Sequence, residues 1–305
     1  MEQIGTRDRC EVNWIVETPE ADPLTGHVRW DMGHSLWNGG MALGAVMLTP
    51  FFTTPAAVVV GLGLTGAMLL LGHSVGFHRL LIHGSFRTTP LMRKFLVWCG
   101  TVAGMSGPLW IVKTHDLRDW AQRQPACHDY LAHRRPMLID AWWQLHCRLN
   151  LAHPPRFDLA RLEADRFILW LERTWMLQQL PVAGALFLLG GLPFVVWGVF
   201  VRVALTVHGH WLVGHLAHRR GPQSWQVADA GVQAHDVPWA GLLTMGEAWH
   251  NNHHAYPGSA RIGLEPGQSD WGYAFIAVME RFSLAWDVCL PADMPGRAGK
   301  LVRVG

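Results

Sequence analysis

Charged residues are scarce in this chain of 305 residues: Asp, Glu, Lys and Arg make up 16%, against 50% hydrophobic residues. A typical soluble domain carries about a quarter charged residues, so this balance disfavours an ordinary soluble protein. The formal net charge is only +2, which argues against a nucleic-acid partner. Five cysteines occur and no two form a CxxC pair, so we expect no disulfide framework and a reducing compartment.

A signal-peptide pattern is also lacking, so we expect internal segments to direct insertion into a membrane. Four apolar stretches are candidates, in two pairs that each enclose a short turn. They are 36–52 and 56–72 around Thr53-Thr54-Pro55, and 176–189 and 194–212 around Gly190-Gly191-Leu192-Pro193. Each is near the lower limit of the ~20 residues that cross a bilayer. The pattern predicts an all-α integral membrane protein with four transmembrane helices in two hairpins, and a large soluble helical core is the alternative.

Positive charge is confined to three polar regions. Of the 25 Lys and Arg residues, 24 lie in 1–31, in 73–175 or after His218, and neither hairpin tip has any. The positive-inside rule then predicts that both termini and the region between the hairpins face the cytoplasm, in a bacterial inner membrane. Arg202 is the exception, within the fourth span. The apolar residues 91–112 are interrupted by charges and glycines, so we interpret them as an interfacial or core helix, with a fifth span as the alternative.

These boundaries predict one domain, 1–305, built of five segments. The segments are a polar N-terminal part (1–35), a first hairpin (36–72), a cytoplasmic region (73–175), a second hairpin (176–212) and a cytoplasmic C-terminal region (213–305).

The chain is rich in histidine, with 18 residues, and His250, His253 and His254 fall within five positions. Imidazole is largely neutral near pH 7 and suits iron, zinc and copper. The sequence therefore predicts a metal centre with nitrogen ligands.

Several histidine-containing segments resemble the histidine boxes of membrane fatty acyl desaturases. The first box is Gly76-Phe77-His78-Arg79-Leu80-Leu81-Ile82-His83, and the entry to the second is Gly107-Pro108-Leu109-Trp110 followed by His115. A further ligand position falls in His215-Leu216-Ala217-His218. The last box is Trp249-His250-Asn251-Asn252-His253-His254-Ala255. The similarity runs from about residue 30 to residue 290. It implies a cytoplasmic helical cap that carries a non-haem di-iron site. Carried over by position, the ligands are His78, His83, His115, His218, His250, His253 and His254.

The second box departs from the family pattern, since Arg118 and Asp119 stand where two histidines are expected. Arginine has no lone pair to offer, whereas a carboxylate is a good iron ligand. Asp119 is four residues after His115 and therefore on the same face of a helix. We include Asp119 among the candidate ligands, and a local ion-pair cluster is the alternative.

A second departure is Gly214, which stands where the family usually has an asparagine that reaches the metal through water. The neighbouring His215 either compensates or is simply adjacent, and we favour the second reading. His128 and His133 repeat the HxxxxH spacing; we interpret them as solvated or hydrogen-bonded, with replacement of the missing ligands as the alternative. Among residues that orient ligand imidazoles, we expect Glu247 and Asn251, with His215 as a weaker candidate.

The resemblance implies an O₂-dependent desaturase that places a cis double bond in a saturated acyl chain carried by CoA, acyl-carrier protein or lipid. No fused electron carrier is visible, so an external donor such as ferredoxin or cytochrome b5 is implied. The altered second box motivates two alternatives. One is a hydroxylase or related oxygenase acting on a lipid, and the other is a non-catalytic metal-binding relative.

Overall fold

Helices dominate the computed structural model, which describes residues 10, 12–295 and 299–304. The outermost parts of the expected segments 1–35 and 213–305 therefore lie outside the described residues. The helices are α1 (Met32–Leu48), α2 (Pro55–Ala67), α3 (Pro90–Val102), α4 (Pro108–Arg123), α5 (Met137–His146), α6 (Ala160–Glu163), α7 (Arg166–Thr174), α8 (Gln179–Val195), α9 (Arg202–Ala217), α10 (His250–Ala255) and α11 (Trp271–Arg281). Wide π-helical turns extend α2 over Met68–Ile82 and join α8 to α9 over Val196–Val201.

In the described part of the chain, eight short strands form four two-stranded antiparallel ribbons, which link distant segments. The strands are β1 (Ile15–Val16), β2 (Gly26–Trp30), β3 (Arg87–Thr88), β4 (Cys147–Leu151), β5 (Arg156–Phe157), β6 (Trp225–Val227), β7 (Ala285–Trp286) and β8 (Leu301–Arg303). The longest ribbon pairs β2 with β4, with Gly26 opposite Leu151 and Trp30 opposite Cys147. These ribbons tie the polar regions together beside the apolar helices.

Among the residues that the structure describes, two helical stretches are long and apolar enough to cross a bilayer, Pro55–Ile82 and Met176–Ala217. The second contains a break, because Gly190 and Gly191 have non-helical dihedrals and Gly191 has a φ of 67°, which favours glycine. The chain reverses there, so that Leu186 packs against Gly198. Turn residues at this position are therefore correctly predicted.

The first apolar pair begins four residues earlier than expected, at Met32. Asp31 caps α1 by accepting a hydrogen bond from the backbone N–H of His34, so the helix starts there. Thr54 caps α2 in the same way, with Pro55 in the first helical turn. The fifth-span alternative fails, because residues 91–112 form two separate helices, with α3 ending at Val102 and α4 beginning at Pro108.

A buried core joins the π-helical part of the first spanning stretch to α3, α4 and α7. Its members include Phe77, Leu81, Val97, Val112 and Ile168, all at most 4% exposed. Since α4 carries the second box and the π-helical segment carries the first box, this core fixes the two boxes relative to each other.

Two further features differ from a simple reading of the sequence. Cys10 and Cys289 form a disulfide, so the expectation of no disulfide framework is wrong for this pair. The two residues are separated by 279 positions, and sequence spacing carries no signal over that distance. Arg202 is 1% exposed and donates to the carbonyls of Gly198 and Val102, each at 2.6 Å. Its charge therefore faces protein rather than lipid.

Candidate metal centre

Four histidines from three distant chain segments meet in one cluster. His78, His83, His115 and His253 each direct one ring nitrogen to a common point, with these atoms within 4.8 Å of one another. Ring centroids in this first cluster are 4.5 Å apart for His78 and His253 and 4.8 Å apart for His83 and His115. Three of the four rings are buried and the His115 ring is half-buried.

The π-helical backbone explains how His78 and His83 reach the same point. Residues five apart on an α-helix are separated by about 140° around the axis, so their side chains diverge. A π turn bonds residue i to residue i+5 and brings them to one face. The N–H of His83 indeed donates to the carbonyl of His78 at 3.1 Å. Local backbone geometry therefore turns the HxxxxH spacing into a bidentate site.

Three more histidines, His218, His250 and His254, form a second cluster. One ring nitrogen of each lies within 4.8 Å of the corresponding nitrogens of the other two. The Nε2 atoms of His218 and His250 are 3.2 Å apart, as expected for two nitrogens that share one metal at ~2.1 Å. The other nitrogen of His218, Nδ1, donates to the carbonyl of Gly214 at 2.7 Å, which leaves the Nε2 lone pair for a metal.

Helix α10 lies between the clusters and serves both. At ~100° per residue, His250 and His254 point to one side and His253 turns about 60° to 100° away from them. His253 accordingly joins the first cluster, while His250 and His254 join the second. The spacing of the histidines in the last box therefore lets one short helix contribute to both clusters.

Asp119 lies beside the first cluster, because it follows His115 by one turn of α4 and is on the same face of that helix. Its Oδ2 is 3.8 Å from His253 Nε2 and 3.2 Å from an Arg123 nitrogen. Although burial favours the protonated form, neighbouring His115 and Arg123 hold the pKa of Asp119 below its usual value. In turn, burial of His115 is outweighed by the carboxylates of Asp119 and Asp116, which raise the pKa of His115. The carboxylate is thus ionised and faces the first cluster.

Glu247 lies against the imidazole of a candidate ligand, as the sequence hypothesis expects. Its Oε2 is 2.6 Å from His78 Nδ1, so the His78 Nε2 lone pair is left for the metal. The other carboxylate oxygen lies 2.8 Å from Arg79 and accepts from Ser74. Arg79 is fully buried and also pairs with Asp270 at 2.9 Å. Arg79 is therefore committed to carboxylates of the protein rather than to a substrate head group.

Asn251 does not orient an imidazole. Its side-chain oxygen accepts from the backbone N–H groups of Ser224 and Trp225, and its amide donates to the carbonyls of Trp225 and Ala234. All four hydrogen-bonding positions are thus filled by backbone groups. Asn251 anchors the 224–234 segment to α10 instead.

His215 points away from the second cluster, and its Nδ1 is 2.8 Å from Asp140 Oδ2. The same oxygen lies 2.9 Å from His133 Nδ1 and accepts from the indole N–H of Trp211 at 3.0 Å. Sequence analysis missed Asp140, which has no motif around it. His133 is 1% exposed, so it is hydrogen-bonded as expected but not solvated.

Arg118 takes no part in either cluster. Its guanidinium donates to the side-chain oxygen of Gln144 at 2.7 Å, and it lines the wall of a cavity that reaches the histidines.

The donor set fits metal ions. His83 Nε2 and both ring nitrogens of His253 are buried without a hydrogen-bond partner in the structure, which is costly unless another group binds them. Burial lowers the pKa of His218, His250 and His253, so these rings are neutral, as metal ligands must be. Neutral imidazoles with one carboxylate nearby are ligands that iron accepts.

A cavity of about 750 Å³ ends at these histidines. It reaches His78 and His115 of the first cluster and His218 and His250 of the second. Most of its wall comes from apolar residues of α2, α9 and the 239–245 segment. They include Leu62, Leu69, Leu205, Leu212, Val213, Trp239, Leu242 and Leu243. The arrangement is an apolar chamber closed at one end by two clusters of metal-binding side chains.

Comparison with known proteins agrees with this geometry. The family model for fatty acid desaturases matches residues 53–261. The sn-1 stearoyl-lipid 9-desaturase of Anabaena variabilis is 32% identical over 94% of this chain and 97% of its own length. An acyl-CoA 5-desaturase of Anemone leveillei is 31% identical over 88% of this chain and 82% of its own length. The palmitoyl-monogalactosyldiacylglycerol delta-7 desaturase of Arabidopsis thaliana is 32% identical over 81% of this chain and 66% of its own length.

The fold and the paired histidine clusters define a membrane-associated oxidoreductase of lipid metabolism, and the chain belongs to the fatty acid desaturase family. Its activity is the introduction of a double bond into an acyl chain. The resemblance drawn from the histidine boxes is thereby confirmed, and the non-catalytic alternative loses its support.

Proposed function

We propose that two iron ions occupy the two histidine clusters and that the substrate is an acyl chain held in the apolar cavity and carried by a membrane lipid. The observation that carries this proposal is that a single cavity reaches ligand histidines of both clusters. A methylene pair that lies at the closed end is therefore adjacent to both candidate metals.

The chemistry explains why a metal centre is needed. Methylene C–H bonds do not ionise, so acid–base side chains cannot remove their hydrogens; iron reacting with O₂ supplies the oxidising power. Overall, –CH₂–CH₂– with O₂, two electrons and two protons gives –CH=CH– and two waters. The two electrons come from a separate carrier protein of the ferredoxin or cytochrome b5 class.

The chain's own residues bind the acyl group and orient the imidazoles that would hold the metals. The cavity volume lies in the range of ligand pockets, and burial of each methylene contributes ~0.8 kcal/mol. Glu247 fixes the ring of His78, and the carbonyl of Gly214 fixes that of His218. Both contacts hold an imidazole in the tautomer that presents Nε2 to a metal.

The rim of the cavity favours a lipid over CoA. Leu62 and Leu205, on the two spanning stretches, are half exposed, and Trp239 and Leu243 are exposed beside them. The cationic residue among the described lining residues is Arg118, which bonds to Gln144. A carrier with several phosphates would need cations at the rim, whereas an acyl chain already in the bilayer would meet the apolar side chains directly.

For topology, we propose four spans in two hairpins, with the clusters on the cytoplasmic side of the membrane. Support comes from the break at Gly190–Gly191 and from exposed apolar side chains such as Leu43, Val59 and Leu188. A fluorescent protein fused to the C-terminus should mature in a bacterial host, and alkaline phosphatase fused there should stay inactive. The reverse pattern would contradict this orientation.

A matched pair of glycine variants tests substrate placement. A Cβ built at Gly209 in α9 meets no atom within 4 Å, and Gly209 lines the cavity. Gly184 in α8 is equally open but is not among the cavity-lining residues. Gly209→Leu should therefore block the chamber, whereas Gly184→Leu should not.

The assay is gas chromatography with mass spectrometry of lipids from a bacterial host whose membrane chains are saturated, with a ferredoxin and its reductase co-expressed. We expect monounsaturated chains with the native protein and Gly184→Leu, and at least tenfold less product, or only shorter chains, with Gly209→Leu. Equal products from both variants would remove the cavity from the proposal. Hydroxylated product would favour the oxygenase alternative. Purified protein should desaturate a stearoyl phospholipid in preference to stearoyl-CoA, and the opposite preference would overturn the lipid carrier.

A further inference from the structure

The two clusters differ in ligand number, with four histidines in the first and three in the second among the described residues. His133, which comes from the loop before α5, lies beside the second cluster. Its ring is parallel to that of His218 within 12°, with centroids 5.2 Å apart. Within the second cluster, ring centroids are 4.6 to 5.4 Å apart, so the ring of His133 is as close to that of His218 as the members of the cluster are to one another.

One nitrogen of His133 has a partner and the other does not. Nδ1 lies 2.9 Å from Asp140 Oδ2, whereas Nε2 is buried and has no hydrogen-bond partner in the structure. A buried polar atom left unpaired costs ~1–3 kcal/mol. Because Nδ1 donates its proton to the carboxylate, Nε2 carries the lone pair. The unpaired atom is thus of the kind that binds a metal.

The backbone at His133 has an uncommon conformation, and its ring is packed closely against α9. His133 has a φ of 50°, a left-handed conformation that is uncommon for residues other than glycine and is often found at functional sites. A Cβ built at Gly214 would lie 3.8 Å from His133 Nε2. A side chain longer than alanine at 214 would therefore occupy the place of the imidazole edge.

The three-residue group of His133, Asp140 and His215 is itself compact enough for a metal. Its hydrogen bonds favour another reading. Oδ2 of Asp140 faces both imidazole Nδ1 atoms and also accepts from the indole N–H of Trp211 at 3.0 Å. An indole N–H is a donor and never a ligand. An oxygen that accepts three N–H donors is an anchor for the rings, not a metal ligand.

We propose that His133, through Nε2, is a fourth protein ligand of the second metal, and that Asp140 is the positioning residue that orients it. This inference rests on the proposed two-metal site. It assigns to His133 the coordination that Arg118 cannot supply, although the two residues stand 15 positions apart in the chain.

The first test is metal content and affinity, measured by elemental analysis and chelator competition on purified protein in detergent. We expect two metals per native chain. His133→Ala should keep one and bind the other about 100-fold or more weakly, and Asp140→Asn should weaken it about 10- to 100-fold. His128→Ala is the matched control, because His128 lies in the same loop and its Nδ1 accepts from the N–H of Tyr130. It should bind like the native chain.

A second variant separates coordination from folding. In His133→Cys loaded with Co²⁺, a thiolate at this position should produce a sulfur-to-cobalt charge-transfer band if it reaches the metal. A purely structural residue would produce none, and His128→Cys should produce none either. Added imidazole should restore the second metal to His133→Gly, but not to Asp140→Asn.

The outcomes distinguish this inference from the proposed function. Two metals per native chain, with both retained at native affinity in His133→Ala and no charge-transfer band in His133→Cys, would overturn the role of His133 and leave the two-metal site standing. Fewer than two metals in the native chain would overturn both. Equal loss of metal in His215→Ala and His133→Ala would point to a separate site around Asp140 and overturn the assignment.

Discussion

Close contact between two helices sets the position of the first histidine cluster, and one methyl group should disrupt it. Gly72 and Gly76 lie on the π-helical segment that carries His78, facing the backbone of α3. A Cβ on Gly76 would overlap the carbonyl of Leu96, and a Cβ on Gly72 would overlap that of Cys99. Because backbone atoms of a helix do not yield as a side chain does, Gly76→Ala must move the segment away from α3 by about 1 Å to restore ordinary contact.

The expected magnitude follows from this displacement. Overpacking of a close contact costs ~1–3 kcal/mol, equivalent to a fall in Tm of several degrees for a chain of this size. His78 is two residues beyond Gly76, and a metal site tolerates only ~0.5 Å of error in its ligands. We therefore expect Gly76→Ala to bind metal at the first cluster at least tenfold more weakly than the native chain.

The assay combines thermal unfolding in detergent with metals per chain. Gly63→Ala is the control, since Gly63 lies on α2 of the same spanning stretch and a Cβ there meets no atom within 4 Å. Alanine should stabilise the helix at that position by up to ~1 kcal/mol. If Gly76→Ala matches Gly63→Ala in both Tm and metal content, the argument that close packing positions the site is refuted.

Three further variants probe the site and its support. Asp119→Asn removes the carboxylate beside His253 and should weaken metal binding at the first cluster about 10- to 100-fold in chelator competition, with unchanged affinity counting against its role. Glu247→Gln should produce a loss of similar size through the ring of His78, whereas Glu163→Gln, at an exposed ion pair, should produce none. Arg202→Met removes the guanidinium that donates to the buried carbonyl of Gly198 and to the side-chain oxygen of Gln179. It should lower stability by about 2–5 kcal/mol in detergent unfolding, and an unchanged Tm would contradict this.

Most candidate ligands could be found from the sequence because their spacing is local. His250, His253 and His254 lie at helical intervals, and Asp119 follows His115 by one turn, so their convergence is a property of single helices. The two breaks between apolar helices were equally local, marked by Thr-Thr-Pro and Gly-Gly-Leu-Pro.

Spacing was less informative where the backbone departs from ideal geometry. An α-helix would direct His78 and His83 away from each other, and nothing in the sequence alone predicts the π turns that unite them. The position of the two residues was known only through the family resemblance. The kind of helix that brings them together is evident only in the folded chain.

Long-range contacts were beyond the sequence for a different reason. The disulfide between Cys10 and Cys289, and the meeting of Asp140 with Trp211 and His215, join residues that no period or motif relates. Asp140 looks like an ordinary acidic residue in the first turn of α5, and only burial among donors reveals its role.

The altered second box illustrates why ligands must be counted in space. Read along the chain, Arg118 and Asp119 remove two imidazoles and suggest a dismantled metal centre. In the folded chain, Asp119 still faces the first cluster from its own helix, and the ring of His133, whose Nε2 is unpaired, lies beside the ring of His218 in the second. In the proposed site, Asp119 replaces one of the two missing histidines at the same sequence position, and His133 replaces the other from a separate loop. A metal responds only to donor atoms within about 2 Å, whatever their order in the sequence. Loss of a motif residue is therefore weak evidence for loss of a metal until the surrounding loops have been placed.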